Sequence, residues 1–178
     1  QGAEEGIKRG MYLLQEDKKA TVQLMGSGVI LREVIKAAKI LREEYQIYSN
    51  VWSVTSYNEL ARDGIAVEEY NRLHPLAEQA QESWVSQQLR STDGIVVSAT
   101  DHMRAYSEQI RAHLPDNRPY VTLGTDGYGR SDTRGNLRSF FGVDAAHIVV
   151  ATLKKLADEG EVDARLVKDA ISSFELDT

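Results

Sequence analysis

The segment Leu123–Arg134 (LGTDGYGRSDTR) brings together more groups capable of chemistry than any other stretch of the chain. It sets Gly124, Gly127 and Gly129 among Thr125, Asp126, Tyr128, Arg130, Asp132 and Arg134. Glycines permit positive φ and let backbone N–H groups approach a ligand, while neighbouring Arg and Asp make charge-assisted hydrogen bonds. Two roles suit this composition: contact with a bound ligand, or a rigid loop that docks onto another domain or subunit. It is not a calcium loop, because oxygen ligands at alternate positions and a closing Glu are missing. A second candidate is the turn Gly26-Ser27-Gly28, which follows an apolar run and opens a helical stretch. Backbone N–H groups at such a place can cradle an anion. A dinucleotide fingerprint needs a third glycine three residues on, where Leu31 stands, and G-x-x-x-x-G-K-S/T is absent. Ser27 lacks the G-x-S-x-G context of a nucleophile elbow. The turn reads either as a possible anion site or as a tight strand-to-helix connection with no ligand.

The remaining reactive side chains form no constellation. His74, His102, His113 and His147 are scattered, none paired at metal-ligand spacing within a helix. The carboxylates are many, but no pair can be set face to face from sequence; Glu68 and Glu69 fit a solvated helical face. With no cysteine in the chain, a disulfide scaffold, a thiolate zinc site and a cysteine nucleophile are excluded. No catalytic, cofactor-binding or metal-ligating residue is assigned.

The elements that must position the loop and the turn alternate in type. Thr21–Met25, Val51–Thr55, Ile95–Ala99 and Tyr120–Leu123 are short β-branched runs bounded by Gly, Ser, Asn or Asp, with Met11–Leu14 a weaker fifth. Their near-continuous apolarity suits strands covered on both faces. Between them the spacing predicts helices over Gly28–Tyr45, Asn58–Leu73 (interrupted near Gly64), Gln81–Arg90 and His102–His113. Tyr57–Gln88 is long for one crossover and predicts two helices with an extended excursion. Asp132 is the expected cap of a helix through Phe141, Asp144 of Ala145–Asp158 and Asp163 of Ala164–Phe174. In the last helix Leu166, Val167, Ala170, Ile171 and Phe174 make a core stripe. Trp52 is expected in the core and Trp84 in the core or at an interface. The pattern is that of an α/β domain with a mainly parallel sheet and helices on both faces.

The whole chain, 178 residues with 42% hydrophobic side chains, fits one domain, 1–178, with an adequate core. Its formal charge of −6, from 27 acidic and 21 basic residues, argues against nucleic acid or an anionic membrane as the main partner. No apolar run approaches the roughly 18 residues of a membrane span, and the first residues lack a signal-peptide core. The chain begins at Gln1 rather than Met, which predicts a processed protein or a piece of a longer one.

Three segments carry a family resemblance: VQLMGSG followed by ILREV (Val22–Val34), VWSVTSYNELARDG with YNRLHPL behind it (Val51–Leu76), and LGTDGYGRSDTRGNLRSFFGVD (Leu123–Asp144). In this order they resemble the C-terminal domain of the homodimeric pyruvate dehydrogenase component, a thiamine-diphosphate-dependent enzyme of the transketolase superfamily. The resemblance implies a three-layer α/β/α sandwich around a five-stranded, mostly parallel mixed sheet whose first strand runs antiparallel, which promotes Met11–Leu14 to that strand. It also implies an excised C-terminal domain with a structural and dimerisation role. The enzyme decarboxylates pyruvate and passes the acetyl group to a lipoyl-bearing acetyltransferase. Thiamine diphosphate and a divalent metal (Mg) would be held by the missing domains and none by this fragment, which alone would be inactive. Implied partners are the enzyme's own N-terminal and middle domains, a homodimer mate and the acetyltransferase, in the cytoplasm. Gly135, inside TRGNLR, departs from the family pattern, where an acidic or other helix-forming residue is expected. The alternative is an interaction or regulatory module that binds a small anion or a partner protein at the strand-end loops. A free-standing nucleotide-binding enzyme is disfavoured by the incomplete glycine fingerprint.

Overall fold

Val22–Ser27 (VQLMGS) forms a strand in which every residue is buried. A strand of that kind must be covered on both faces and flanked on both edges. The structure, a computed structural model, describes residues 3–176 and meets both conditions. Five strands, β1 (Met11–Gln15), β2 (Val22–Ser27), β3 (Ser49–Val54), β4 (Ile95–Ala99) and β5 (Tyr120–Leu123), form one sheet in the order β1-β3-β2-β4-β5. The β3–β2, β2–β4 and β4–β5 pairs are parallel, and β1 runs antiparallel to β3 with Met11 opposite Val54. The expected strands are all present, β4 and β5 at the expected bounds and the other three with bounds shifted by one or two residues.

Helices α1 (Ala3–Arg9), α2 (Leu31–Tyr45), α3 (Tyr57–Leu73), α4 (Trp84–Leu89), α5 (Arg104–Glu108), α6 (Arg134–Phe140), α7 (Ala145–Asp158) and α8 (Ala164–Ser173) surround the sheet. Successive strand side chains point to opposite faces, which divides the core in two. Val22, Leu24, Ile95 and Val97 join Val34 and Leu41 of α2, Leu153 of α7 and Val167 of α8. Met25, Trp52 and Val96 join Leu60 of α3 and Leu89 of α4 on the other face. The fold is therefore the three-layer α/β/α sandwich with a mixed sheet. A buried amide network stitches its centre. Gln23 accepts from Asn50 (3.1 Å) and from the Trp52 indole (2.9 Å) and donates to the Asp93 carbonyl (3.1 Å).

Several sequence expectations need correction. Helix α3 runs unbroken through Gly64. A Cβ there would lie 2.4 Å from the His113 ring, so this glycine marks a close approach rather than a break. Helix α6 is capped by Thr133, not Asp132, whose carboxylate instead accepts from the Thr133 N–H (2.7 Å) and the Asn136 amide (2.8 Å). Ser83 caps α4, so that helix starts at Trp84 rather than near Gln81. The His102–His113 stretch splits into α5 and a 3-10 turn over Arg111–His113. Gly28–Ile30 is likewise a 3-10 turn ahead of α2. Trp52 is core, and Trp84 lies half-buried, its indole donating to the Met11 carbonyl (3.0 Å) beneath the Arg9 guanidinium.

Three consequences can be measured. Gly135 lies inside α6 with open space where its Cβ would be, so Gly135→Ala should stabilise by up to ~1 kcal/mol. Gly64→Ala should destabilise by about 1–3 kcal/mol through overpacking; paired urea titrations read both signs. Asp144 caps α7, accepting from the His147 N–H (3.0 Å) and the His147 ring (2.7 Å). Burial alone would raise its pKa, but the bonds from the His147 ring and backbone outweigh it and hold the carboxyl below its ordinary value. A carboxyl depressed in the folded state stabilises above its unfolded pKa of about 4 and loses that stability as pH falls through the lower folded value. Asp144→Ala should cost ~1 kcal/mol at pH 7. Asp144→Asn should keep most of the cap while removing this acid loss, as read by melting curves between pH 2 and 7.

Candidate functional site

The strand-end loops converge where β2, β4 and β5 finish, the edge at which open parallel sheets tend to bind ligands. The Gly26-Ser27-Gly28 turn is tied inward. The Ser27 hydroxyl is buried against the Thr100 hydroxyl at 2.7 Å. A Cβ on Gly26 would sit 2.8 Å from the Leu31 Cα, and one on Gly28 would sit 3.1 Å from an Asp101 carboxylate oxygen. The first turn of α2 already carries an acid, Glu33, which uses the positive end of the helix dipole. These features support a tight connection more than an anion cradle.

The glycine-rich loop divides into an anchored base and a free tip. At its base the Thr125 N–H donates to the His102 carbonyl (2.9 Å) and its hydroxyl to the Asp101 carbonyl (2.7 Å). Asp126 accepts from the backbone N–H (3.0 Å) and the guanidinium (2.5 Å) of Arg104. The Arg104 side chain, then its backbone, hold this carboxyl below its usual range. The pair is exposed on both sides. Beyond Gly127, which has φ +100°, contacts thin out. Tyr128 is 98% exposed, and Arg130 lies 4.3 Å over the Phe140 ring.

Helix α6 follows and closes a cleft of about 500 Å³ between itself, the loop and the Gly28–Ile30 turn. Val29, Leu137, Phe141 and Val143 line its apolar part, and Arg130, Arg134 and Arg138 also line it. Sequence reading named Arg130 and Arg134 but missed Arg138, which bonds Glu33 at 2.8 Å across 105 residues of chain. No sequence signal marks so distant a pair. A second, more polar cleft of about 410 Å³ lies over Ser27, Thr55, Tyr57, Asn58, His102 and Tyr106. Its Tyr57 hydroxyl is held by Ser98, and burial drives its pKa far above the ordinary value, so it is not a base.

The structure keeps the four histidines apart. His74 stacks on Tyr70 at 4.0 Å, His113 meets Glu68 at 3.2 Å, His147 bonds Asp144, and His102 stands exposed beside Asp101. Among the described residues no three His, Asp or Glu side chains are grouped to hold a metal ion, and no helix is long and apolar enough to cross a membrane.

Residues 10–144, which include the whole sheet, the loop and α6, match the family model described as the transketolase-like TK C-terminal domain. The chain belongs to this family. The transketolase-like domain is 52% identical over 99% of its length to a pyruvate dehydrogenase E1 component from Pseudomonas aeruginosa. It is 49% identical to one from Escherichia coli K12 and 47% to one from Cupriavidus necator, again over 99% of its length. It spans about a fifth of the length of each. Transketolase from Campylobacter jejuni shares the fold at a TM-score of 0.57 and 20% identity, over 83% of this chain and 19% of that one. A split-gene transketolase, described as an inactive β4 tetramer, shares it at 0.54 and 23%, over 83% of this chain and 42% of that one.

Removing the base anchor of the loop gives a local prediction. Asp126→Ala should speed hydrogen exchange at the Arg104 and Thr125 amides. Global stability should move by less than ~1 kcal/mol, since exposed pairs contribute little.

Proposed function

We propose that the transketolase-like domain is the C-terminal part, residues 1–178, of a pyruvate dehydrogenase E1 component. The observation that carries this reading is identity of about half over nearly the whole chain to proteins of that name. The full protein would decarboxylate pyruvate with thiamine diphosphate and a divalent metal and pass the acetyl group to a lipoyl-bearing acetyltransferase. It would work as a cytoplasmic homodimer. The residues described here do not fit the cofactor or its metal: they offer no grouped ligand set and no phosphate-binding glycine motif, so no step is routed through them. The domain's part is positional. Its two-sided core makes a rigid block, and the loop over Gly124, Thr125, Asp126, Gly127, Tyr128, Arg130, Asp132 and Arg134 is the surface it offers to the rest of the enzyme.

The test is to assay the 178-residue chain beside the product of the complete reading frame, with pyruvate, thiamine diphosphate, magnesium and an artificial electron acceptor. The complete protein should turn over pyruvate and the 178-residue chain should not. Turnover by the 178 residues alone would overturn the positional role. Absence of turnover in a folded, thiamine-loaded complete protein would overturn the activity.

A further inference from the structure

The lining of the cleft under the loop differs in sign from the net charge of the chain. The chain carries a formal charge of −6, yet three arginines line one cleft about 500 Å³ in volume. Arg134 and Arg138 stand one helical turn apart on α6, so their side chains share a face. Arg138 is bonded to Glu33. Among the described residues no carboxylate lies within 4.0 Å of the Arg130 or Arg134 guanidinium. Asp101 is the acid that lines the cleft, while Asp132 is taken by the Thr133 N–H and the Asn136 amide. Arg130 and Arg134 are thus exposed at the cleft with no carboxylate at salt-bridge distance, Arg130 resting over the Phe140 ring and acting on Asp132 only through its charge.

The apolar surface around them is also uncovered. Val29 is 55% exposed and Tyr128 98%, and α6 buries none of its own residues; Phe140, beneath Arg130, lines the neighbouring cleft instead. Contiguous exposed apolar side chains with charged neighbours mark interaction surfaces. A planar guanidinium pairs best with a carboxylate, through two parallel hydrogen bonds.

We propose that this cleft receives an acidic segment, bearing at least one apolar side chain, from the part of the same polypeptide that lies outside these 178 residues. The charge complementarity sets the chemistry of the occupant. Its source follows from length, since the relatives named pyruvate dehydrogenase E1 component are about five times as long as the matched stretch. To that extent the inference rests on the function proposed above. In the docked state the segment's carboxylates pair with Arg130 and Arg134, and its apolar side chain lies on Val29, Leu137 and Phe141. Tyr128, at the tip, is covered.

The experiment uses the complete protein with Tyr128→p-benzoylphenylalanine, irradiated, digested and mapped by mass spectrometry. The expected product is a cross-link to a segment outside residues 1–178 that carries at least two Asp or Glu residues. Arg134→Glu in the same protein should lower the cross-link yield by at least ~10-fold, as loss of a buried charge pair at an interface does. Reversing the captured acid to Lys should restore it. Circular dichroism and melting temperature of the Arg134→Glu protein check that it is folded. Cross-links confined to residues 1–178, no cross-link, or a captured segment without carboxylates would each overturn the proposal, as would an unchanged yield in a folded Arg134→Glu protein. The two readings fail separately. A complete protein that turns over pyruvate but gives no such cross-link loses the docking groove alone. One that cross-links as expected without thiamine-dependent turnover loses the activity alone.

Discussion

Glu33 sits in the first turn of α2 with 5% of its surface exposed, and its carboxylate holds both Lys36 (3.1 Å) and Arg138 (2.8 Å). A charge so buried must be paired, and breaking such a pair from one side typically costs several kcal/mol. Helix α6 buries no residue of its own. Apolar packing alone therefore does not fix its position; the Glu33–Arg138 bond does much of that work, together with Phe141 and Val143 packed behind the helix. Because α6 forms one wall of the cleft, the shape of the whole strand-end surface depends on this ion pair. The Glu33 carboxylate also occupies the positive end of α2, which removes the simplest reason for an anion to bind at the Gly26–Gly28 turn.

Behind that surface lies a sheet that leaves little freedom. Each core strand serves two hydrophobic layers, so a register slip of one residue would exchange the two faces. Gln23 makes this stricter, because its amide is satisfied only when Asn50, Trp52 and Asp93 stand at their observed positions. A buried polar network of this kind specifies one arrangement where apolar packing alone would tolerate several. Rigidity of the block and openness of its strand-end loops are thus separate properties, set by different residues.

The strands and the three C-terminal helices are legible in the sequence because their signals are local: β-branched runs between turn residues, and Asp144 and Asp163 one residue ahead of apolar periodicity. The failures have physical causes too. Helix α1 carries acidic residues in its first turn and basic ones in its last, but its buried residue is Gly6 alone, so it shows no apolar stripe. The His113 ring, brought back by tertiary packing, uses the space at Gly64, and a glycine within helical spacing reads the same whether it breaks the helix or makes room. Asp132 and Thr133 are adjacent potential caps, and only the backbone decides that the hydroxyl reaches Asn136. For the site, the loop's unusual composition is legible and the cleft is not. Its floor joins Val29 to Phe141 and Val143, and its third arginine is fixed by a partner 105 residues away.

The loop's two halves suggest how such a surface can be both defined and adaptable. The base, Gly124–Asp126, is held by backbone bonds to His102 and Arg104, so its direction of exit from β5 is fixed before anything binds. The tip, from Gly127 to Arg130, keeps few contacts within the domain beyond the stacking of Arg130 on Phe140. Ordering a backbone residue costs about 1–2 kcal/mol, and fixing the base in advance confines that expense to the few residues of the tip. The net charge of the chain gives no hint of this arrangement, since acidic residues elsewhere outnumber the arginines that face the cleft. What decides the character of the surface is its lining, where Asp101 is the one acid beside three arginines and Arg138 is already paired with Glu33, which leaves Arg130 and Arg134 to meet whatever docks.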